Sequence, residues 1–268
     1  AVAMSFLRRN RAGLMVVGLL AGLRVLWRPP GPIRDDMTLG ECLSVAALVV
    51  LAVGSALIVA RAVTLAIRAR AAVRRAVTTD TPPGLATAAS DVGVRRVTCL
   101  ADADVVAFCA GVFWPRVFVS TGAVHAYARA ELDAVLAHEA AHASRHDPLR
   151  RLLARASSEV LFFVPLCDWW ATRRMEHAEL SADRAAIRLR GAGPLARALS
   201  IAGDGSRAPA GTPGFDGAAQ ARVAQLLGDP VRPRRPSRSA IGLSLIGLVL
   251  AVSLAMCVGQ GAVAAVGG

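Results

Sequence analysis

The sequence predicts an α+β protein: a mostly helical membrane protein with about three transmembrane helices and a cytoplasmic domain that combines a small sheet with two motif-bearing helices. Three observations predict this. Hydrophobic residues make up 54% of the chain and mean hydropathy is +0.49, too apolar for an ordinary soluble domain of 268 residues. Between 92 and 120 the apolar pattern shortens to runs of β-branched and aromatic residues. Around 137–143 and 179–183, polar groups recur four residues apart in otherwise helical segments.

The first apolar segment, 12–27, reads AGLMVVGLLAGLRVLW and contains Arg24, which would have to snorkel toward an interface beside Trp27. It is either a marginal span or a signal-like segment behind the basic LRRNR, although no small-residue cleavage site precedes Arg24. Residues 42–60 and 239–268 carry no charge and are long enough to cross a hydrocarbon core of ~30 Å at a helical rise of ~1.5 Å per residue. A fully buried core helix is the bland alternative for each.

All of the positive charge is arginine, and the formal net charge is +12. Arg8, Arg9 and Arg11 precede the first segment, Arg61, Arg68, Arg70, Arg74 and Arg75 follow the second, and Arg232, Arg234, Arg235 and Arg238 precede the last. The bias of basic residues to the cytoplasmic side then puts the N-terminus and the whole middle of the chain inside, at the plasma (inner) membrane. The arginines crowd membrane boundaries, so anionic lipid is the expected partner and nucleic acid is not. Five cysteines, Cys42, Cys99, Cys109, Cys167 and Cys257, form no CxxC pair, which argues against a disulfide framework or a thiolate metal site.

Domain boundaries follow. Residues 1–77 form an N-terminal membrane region, with spans at about 12–27 and 42–60 and a basic interfacial helix at 61–77. Residues 78–228 form the cytoplasmic domain, and 229–268 a basic linker and C-terminal transmembrane helix. TTDTPPG breaks the interfacial helix. VGVRRVTCL and DVVAFCAGVFWPRVFVS read as short strands, the last two joined as a hairpin through AGVFWP. ARAELDAVLAHEAAHASRH is a helix closed by Asp147-Pro148, with Leu132, Val135, Leu136 and Ala140 on one stripe. A helix is expected over 149–170, another over about 171–190 stopped by GAGP, then a linker-like 203–214 and the short helix AAQARVAQLLG.

His138 and His142 lie one helical turn apart, so both imidazoles can donate a nitrogen to one Zn²⁺. Glu139 follows the first histidine and sits beside such a metal, placed to take a proton from water. A catalytic zinc needs a third protein ligand. On RRMEHAELSADRAAIRL, Glu179 and Asp183 share a face: Glu179 can reach the metal, and Asp183 can accept the other ring N–H of a ligand histidine. The bland alternatives are a satisfied core histidine pair and a solvent-facing acidic pair balancing Arg173, Arg174 and Arg184. His146 is expected to be exposed or capping, His177 a surface histidine, and Trp169 and Trp170 an interface belt or core plug. His125 and Tyr127 receive no role.

HEAAH followed by ELSAD is similar to the gluzincin membrane peptidases, with their HExxH and later ExxAD. The stretch from AFCAGVFWPRVFVSTGAV through ELDAVLAHEAAHASRHDPLR resembles the integral-membrane antirepressor peptidases of the BlaR/MecR type. HtpX-type and CAAX-processing peptidases share much of the pattern. The likeness covers about 90–190 and implies a zincin-like, cytoplasm-facing zinc endopeptidase with His138, His142 and Glu179 as ligands, Glu139 as base and Asp183 behind the ligands. It also implies that the strand PRVFVS offers its edge to an extended substrate.

Two departures matter. The sequence stops just after the last apolar segment, without the penicillin-binding sensor of the antibiotic receptors, and no long spans separate HExxH from Glu179 as in HtpX-type proteins. The expected substrate is a cytosolic or membrane-proximal protein, for example a transcriptional repressor. Membrane-protein quality control, or a non-catalytic zinc-containing scaffold, are the alternatives.

Overall fold

The computed structural model describes residues 39–205, 215–229 and 235–266. The expected span or signal at 12–27, the arginines that precede it, and most of the linker 203–214 lie outside them. Among the described residues the chain is mostly helical, with one small mixed sheet, and divides into two compact units.

The first unit gathers residues 39–61, 156–169 and 235–266. Helix α1 (Leu39–Arg75) runs without a break through the expected span and the expected interfacial helix, because nothing at Ala60-Arg61 opposes helix propagation. The C-terminal helix of this unit covers Arg238–Val266. Both are long and apolar enough to cross a membrane, over Gly40–Arg75 and Arg238–Val258. Only 6% and 11% of their most apolar windows are buried, the opposite of a soluble protein's core helix.

In the C-terminal helix, a Cβ on Gly247 would lie 2.1 Å from the Phe163 carbonyl oxygen, so only glycine fits that contact. Three residues earlier, buried Ser244 donates to the Ala240 carbonyl at 2.7 Å and accepts the Leu166 N–H at 3.0 Å. Arg61 Nε donates to Glu159 Oε2 at 2.5 Å in the same unit.

The expected single helix over 149–170 is two helices. Pro165 has no N–H to donate and is favoured only in a first turn, so one helix covers Asp147–Val160 and the next starts at Pro165 and runs to Arg190. Leu161–Val164 form the turn between them.

The second unit holds residues 62–155, 170–205 and 215–229. Its sheet has the order β1 (Thr78–Thr79), β2 (Val97–Leu100), β4 (Arg116–Ser120), β3 (Ala107–Ala110). The expected hairpin is present, with Ala107 opposite Val119 and Ala110 opposite Arg116. Gly111 makes its turn at φ +115°, where a Cβ would meet the Trp114 carbonyl at 2.6 Å. β2 and β4 pair in parallel, Val97 beside Val117 and Leu100 beside Ser120. The expected substrate strand PRVFVS is β4, paired on both sides by β2 and β3, so it has no free edge to offer; among the described residues the free edge on that side of the sheet is that of β3.

Numbered in chain order, the remaining helices are α2 (Pro83–Asp91), α3 (Thr121–Ala126), α4 (Arg129–Ser144), α5 (Asp147–Val160), α6 (Pro165–Arg190), α7 (Ala192–Gly205), α8 (Phe215–Leu227) and α9 (Arg238–Val266). The motif helix α4 lies between two apolar layers. Leu132 and Leu136 join Val117 and Val119 of β4 and Leu85 and Ala88 of α2 in one core cluster. Ala134 and Ala137 join Ala186 and Leu195 in another, so the small residues of the motif helix let α6 and α7 approach closely.

Polar ties fix the ends of this arrangement. Glu131 accepts the Ala128 N–H at 2.9 Å and the Arg197 Nε–H at 2.9 Å, capping α4 and anchoring α7 to it. Fully buried Ser120 caps α3 through the Ala123 N–H, accepts the Val106 N–H and donates to the Asp104 carbonyl, so the segment leading into β3 is held against the end of β4. A Cβ on Gly122 would sit 2.1 Å from the Ala103 carbonyl oxygen, which makes this turn glycine-specific.

Candidate metal centre

Helical spacing puts His138 and His142 on the buried face of α4, and α6 brings Glu179 to them. The ligand atoms of His138, His142 and Glu179 all lie within 4.8 Å of one another. The two Nε2 atoms are 3.1 Å apart, and each is 3.5 Å from an oxygen of Glu179: Oε2 for His138, Oε1 for His142.

The outer nitrogens face carboxylates. His142 Nδ1 lies 2.8 Å from Asp147 Oδ2, and His138 Nδ1 lies 2.9 Å from Asp183 Oδ1. The His142 contact is a well-directed hydrogen bond; the His138 contact is oblique to the ring N–H and counts as an ion-pair distance only. With the Nδ1 sides turned to carboxylates, the Nε2 atoms of both rings face the same place as Glu179. The 3.1 Å between the two Nε2 atoms suits a hydrogen bond from protonated His138 to His142 when no metal is bound, and is also close to the ~3.3 Å between two nitrogens ~2.0 Å from one tetrahedral ion. This donor set, two imidazoles and a carboxylate with carboxylates behind them, fits a divalent metal.

Two arginines complete the electrostatics. Arg151 of α5 donates through Nη2 to Glu179 Oε1 and lies 3.1 Å from His142 Nε2. Arg222 of α8 grips Asp183 with two bonds of 2.8 Å, Nε to Oδ2 and Nη2 to Oδ1, and its Nη1 is 3.4 Å from Glu179 Oε2. Asp183 is fully buried, and His138 together with this fork keeps it ionised against that burial.

These contacts displace the titrations. For His138, burial opposes the charged form, but Asp183, Glu179 and Glu139 outweigh it and raise the imidazole to about 9. Burial, then the neighbouring His138 and Arg151, lower His142 to about 4. Glu139 is pushed up to about 7, chiefly by burial and also by Glu179, against the pull of His138, Arg151 and Arg222. Burial would raise Glu179 and Asp183, yet His138 and the arginines hold both carboxyls below the usual range.

Residues 33–192 match the family model described as BlaR1 peptidase M56, which covers more than half of the chain. The chain belongs to that peptidase family. No curated protein matches it. As a BlaR1-type peptidase it is a metallopeptidase, and its two long apolar helices agree with a membrane-associated protein. The His138, His142 and Glu179 cluster is compatible with the metal such peptidases require.

The site residues read from sequence are brought together. Glu139 shares with His138, His142 and Glu179 a cavity of about 410 Å³ that β3 borders through Ala107, Phe108 and Cys109. Burial, first, and Glu139 push the Cys109 thiol up to about 12, so it stays neutral and offers no thiolate. His146 is exposed in the turn after α4 at φ 53°, and His177 is exposed on α6; neither joins the cluster.

Asp147, Arg151 and Arg222 join the site without a motif of their own in the sequence. Asp147 follows His142 by five positions, in the first turn of the next helix, a spacing that could have flagged it as an Nδ1 partner. Nothing local marks Arg222, which reaches the site from 39 positions beyond Asp183.

Proposed function

We propose that the chain is a zinc-dependent endopeptidase of the gluzincin type, held in the membrane, that hydrolyses peptide bonds of a cytosolic or membrane-proximal protein. His138, His142 and Glu179 are the ligands, Glu139 is the general base and Asp183 orients His138. The observation that carries this reading is the convergence of two imidazoles and two glutamates in one cavity beside an unpaired strand edge.

Zinc bound there would polarise the scissile carbonyl and make a bound water more acidic. The rest of the chemistry belongs to the chain. Glu139 is raised to about 7, so near neutral pH it can take a proton from the attacking water and give one to the leaving amine. β3 offers the backbone groups of an edge strand next to Glu139, so an extended substrate can add to the sheet and present its carbonyl to the site. Val135, Leu195 and Leu199 add apolar lining to the same cavity, suited to an aliphatic side chain.

The basic segments flanking the apolar helices favour a cytoplasm-facing peptidase domain over 78–228, in contact with anionic lipid, at the plasma (inner) membrane. The substrate class is a soluble or membrane-proximal protein such as a transcriptional repressor. The test compares N-termini in the proteomes of cells carrying the wild type and Glu139→Gln. New N-termini in a transcription regulator that vanish in the variant support the antirepressor role, and fragments of many membrane proteins point to quality control. Identical N-termini, with zinc retained in both, would reduce the chain to a zinc-containing scaffold.

A further inference from the structure

A second cavity of about 290 Å³ opens between α5 and α6 and shares Arg151 with the cavity at the candidate metal centre. Five arginines line it: Arg145, Arg150, Arg151, Arg174 and Arg184. Asp147 is the sole carboxylate in its wall, already engaged by His142 at 2.8 Å and by Arg145 and Arg150 at 3.5 and 3.7 Å. The lining therefore carries a net charge of +4 with His177 neutral. Like charges collected around one concavity repel one another, and low-dielectric walls strengthen that repulsion unless an anion enters.

The hydrogen bonding points the same way. Nε and Nη2 of Arg145 and Nε of Arg151 are buried and have no hydrogen-bond partner among the described residues. Arg145 Nε still pairs with Asp147 Oδ2 at 3.5 Å, whereas Arg145 Nη2 and Arg151 Nε have no acceptor of their own, so this wall carries more donors than acceptors. Ser181 already takes Arg145 Nη1 at 2.8 Å, which fixes that fork at the cavity wall. Arg174 lies 5.7 Å over the Trp170 ring, which holds its guanidinium at the rim.

We propose that this cavity binds a phosphate-class oxyanion, a phosphate ester supplied by a soluble metabolite or a lipid headgroup. Guanidinium forks pair two oxygens at a time, and a phosphate offers several oxygens to converging forks where a single carboxylate offers two. The volume, about ten waters at ~30 Å³ each, accommodates the group that the phosphate esterifies. Arg151 borders both cavities and donates to Glu179, so an anion here draws on a guanidinium that the metal centre also uses. The site stands on its own residues and does not depend on peptidase activity.

The test titrates the full chain, in nanodiscs of phosphatidylcholine, with glycerol phosphate by calorimetry. Saturable binding is expected, weakened at least tenfold in Arg174→Gln/Arg184→Gln and unchanged in Arg95→Gln/Arg96→Gln, which removes the same charge from exposed positions elsewhere; circular dichroism confirms that each is folded. Suppression of that binding in discs half composed of phosphatidylglycerol identifies a headgroup as the occupant, and equal binding in both discs identifies a soluble ester. No saturable binding by the wild type, or equal weakening by both double variants, overturns the proposal.

Discussion

Asp147 Oδ2 accepts from His142 Nδ1 at 2.8 Å while His142 Nε2 faces Glu179, so the first turn of α5 sets the ring orientation of a residue on α4. Asp147 is 3% exposed, and its other contacts are the arginines at 145 and 150. Asp147→Asn keeps the shape but gives up the charge that favours the Nδ1–H tautomer. Zinc affinity is expected to fall roughly 10- to 100-fold, measured by competition with a chelator of known affinity, with near-native circular dichroism.

Glu139 is not among the three residues proposed as ligands, and it lines the same cavity. Glu139→Gln removes the base and leaves the donor set intact. Zinc content should stay near one per chain by elemental analysis, and peptidase activity should drop by about 10²–10⁴. A variant that loses zinc in step with activity would instead make Glu139 a structural support of the centre.

Legibility in the sequence tracked the range of each interaction. The uncharged run of α1, the hairpin β3–β4 and the motif helix α4 are written in local periodicity, and the structure has all three. The helical spacing of His138 with His142, and of Glu179 with Asp183, predicted shared faces, and packing against α6 turned them into one cluster. Parallel pairing of β2 with β4 joins segments 20 positions apart with no turn to announce it, and β1 has only two residues. The break at Pro165 was readable from proline chemistry, but the apolar run LFFVPLC masked it. The Asp183–Arg222 fork depends on where α8 docks, which no local pattern records.

That fork makes a prediction about stability. Asp183 is fully buried and its two oxygens are held by Arg222, whose own side chain is 19% exposed. Arg222→Met takes both guanidinium bonds from the buried carboxylate and leaves it His138 alone, and since breaking a buried pair outright costs about 3–5 kcal/mol, a loss at or below the lower end of that range is expected. The denaturant midpoint of the second unit should move to lower concentration, by that loss divided by the slope of its unfolding transition. Arg222→Met/Asp183→Leu, which removes both charges, should recover much of the loss while leaving His138 without its Nδ1 partner.

The displaced titrations give a signed pH dependence for chelator-treated protein. His138 rises from 6.5 to about 9 on folding, so the stability it contributes is fully present below about 6.5 and is lost as pH passes through about 9. Glu139, raised from 4.5 to about 7, loses its contribution earlier, between those two values. His142 is lowered from 6.5 to about 4 and has the opposite sign, adding stability as pH rises through that window and offsetting Glu139 there. Above about 6.5 the His138 loss dominates, and at ~1.36 kcal/mol per pKa unit it amounts to roughly 3 kcal/mol by pH 9. Thermal unfolding in excess chelator should therefore move to lower temperature between pH 6.5 and 9. With zinc added at the proposed site, the melting temperature should hold or rise over the same range, because metal binding requires the deprotonated imidazole that high pH favours. A metal-stripped protein that grows more stable from pH 6.5 to 9 would mean that His138 is not held protonated by Asp183 and Glu179.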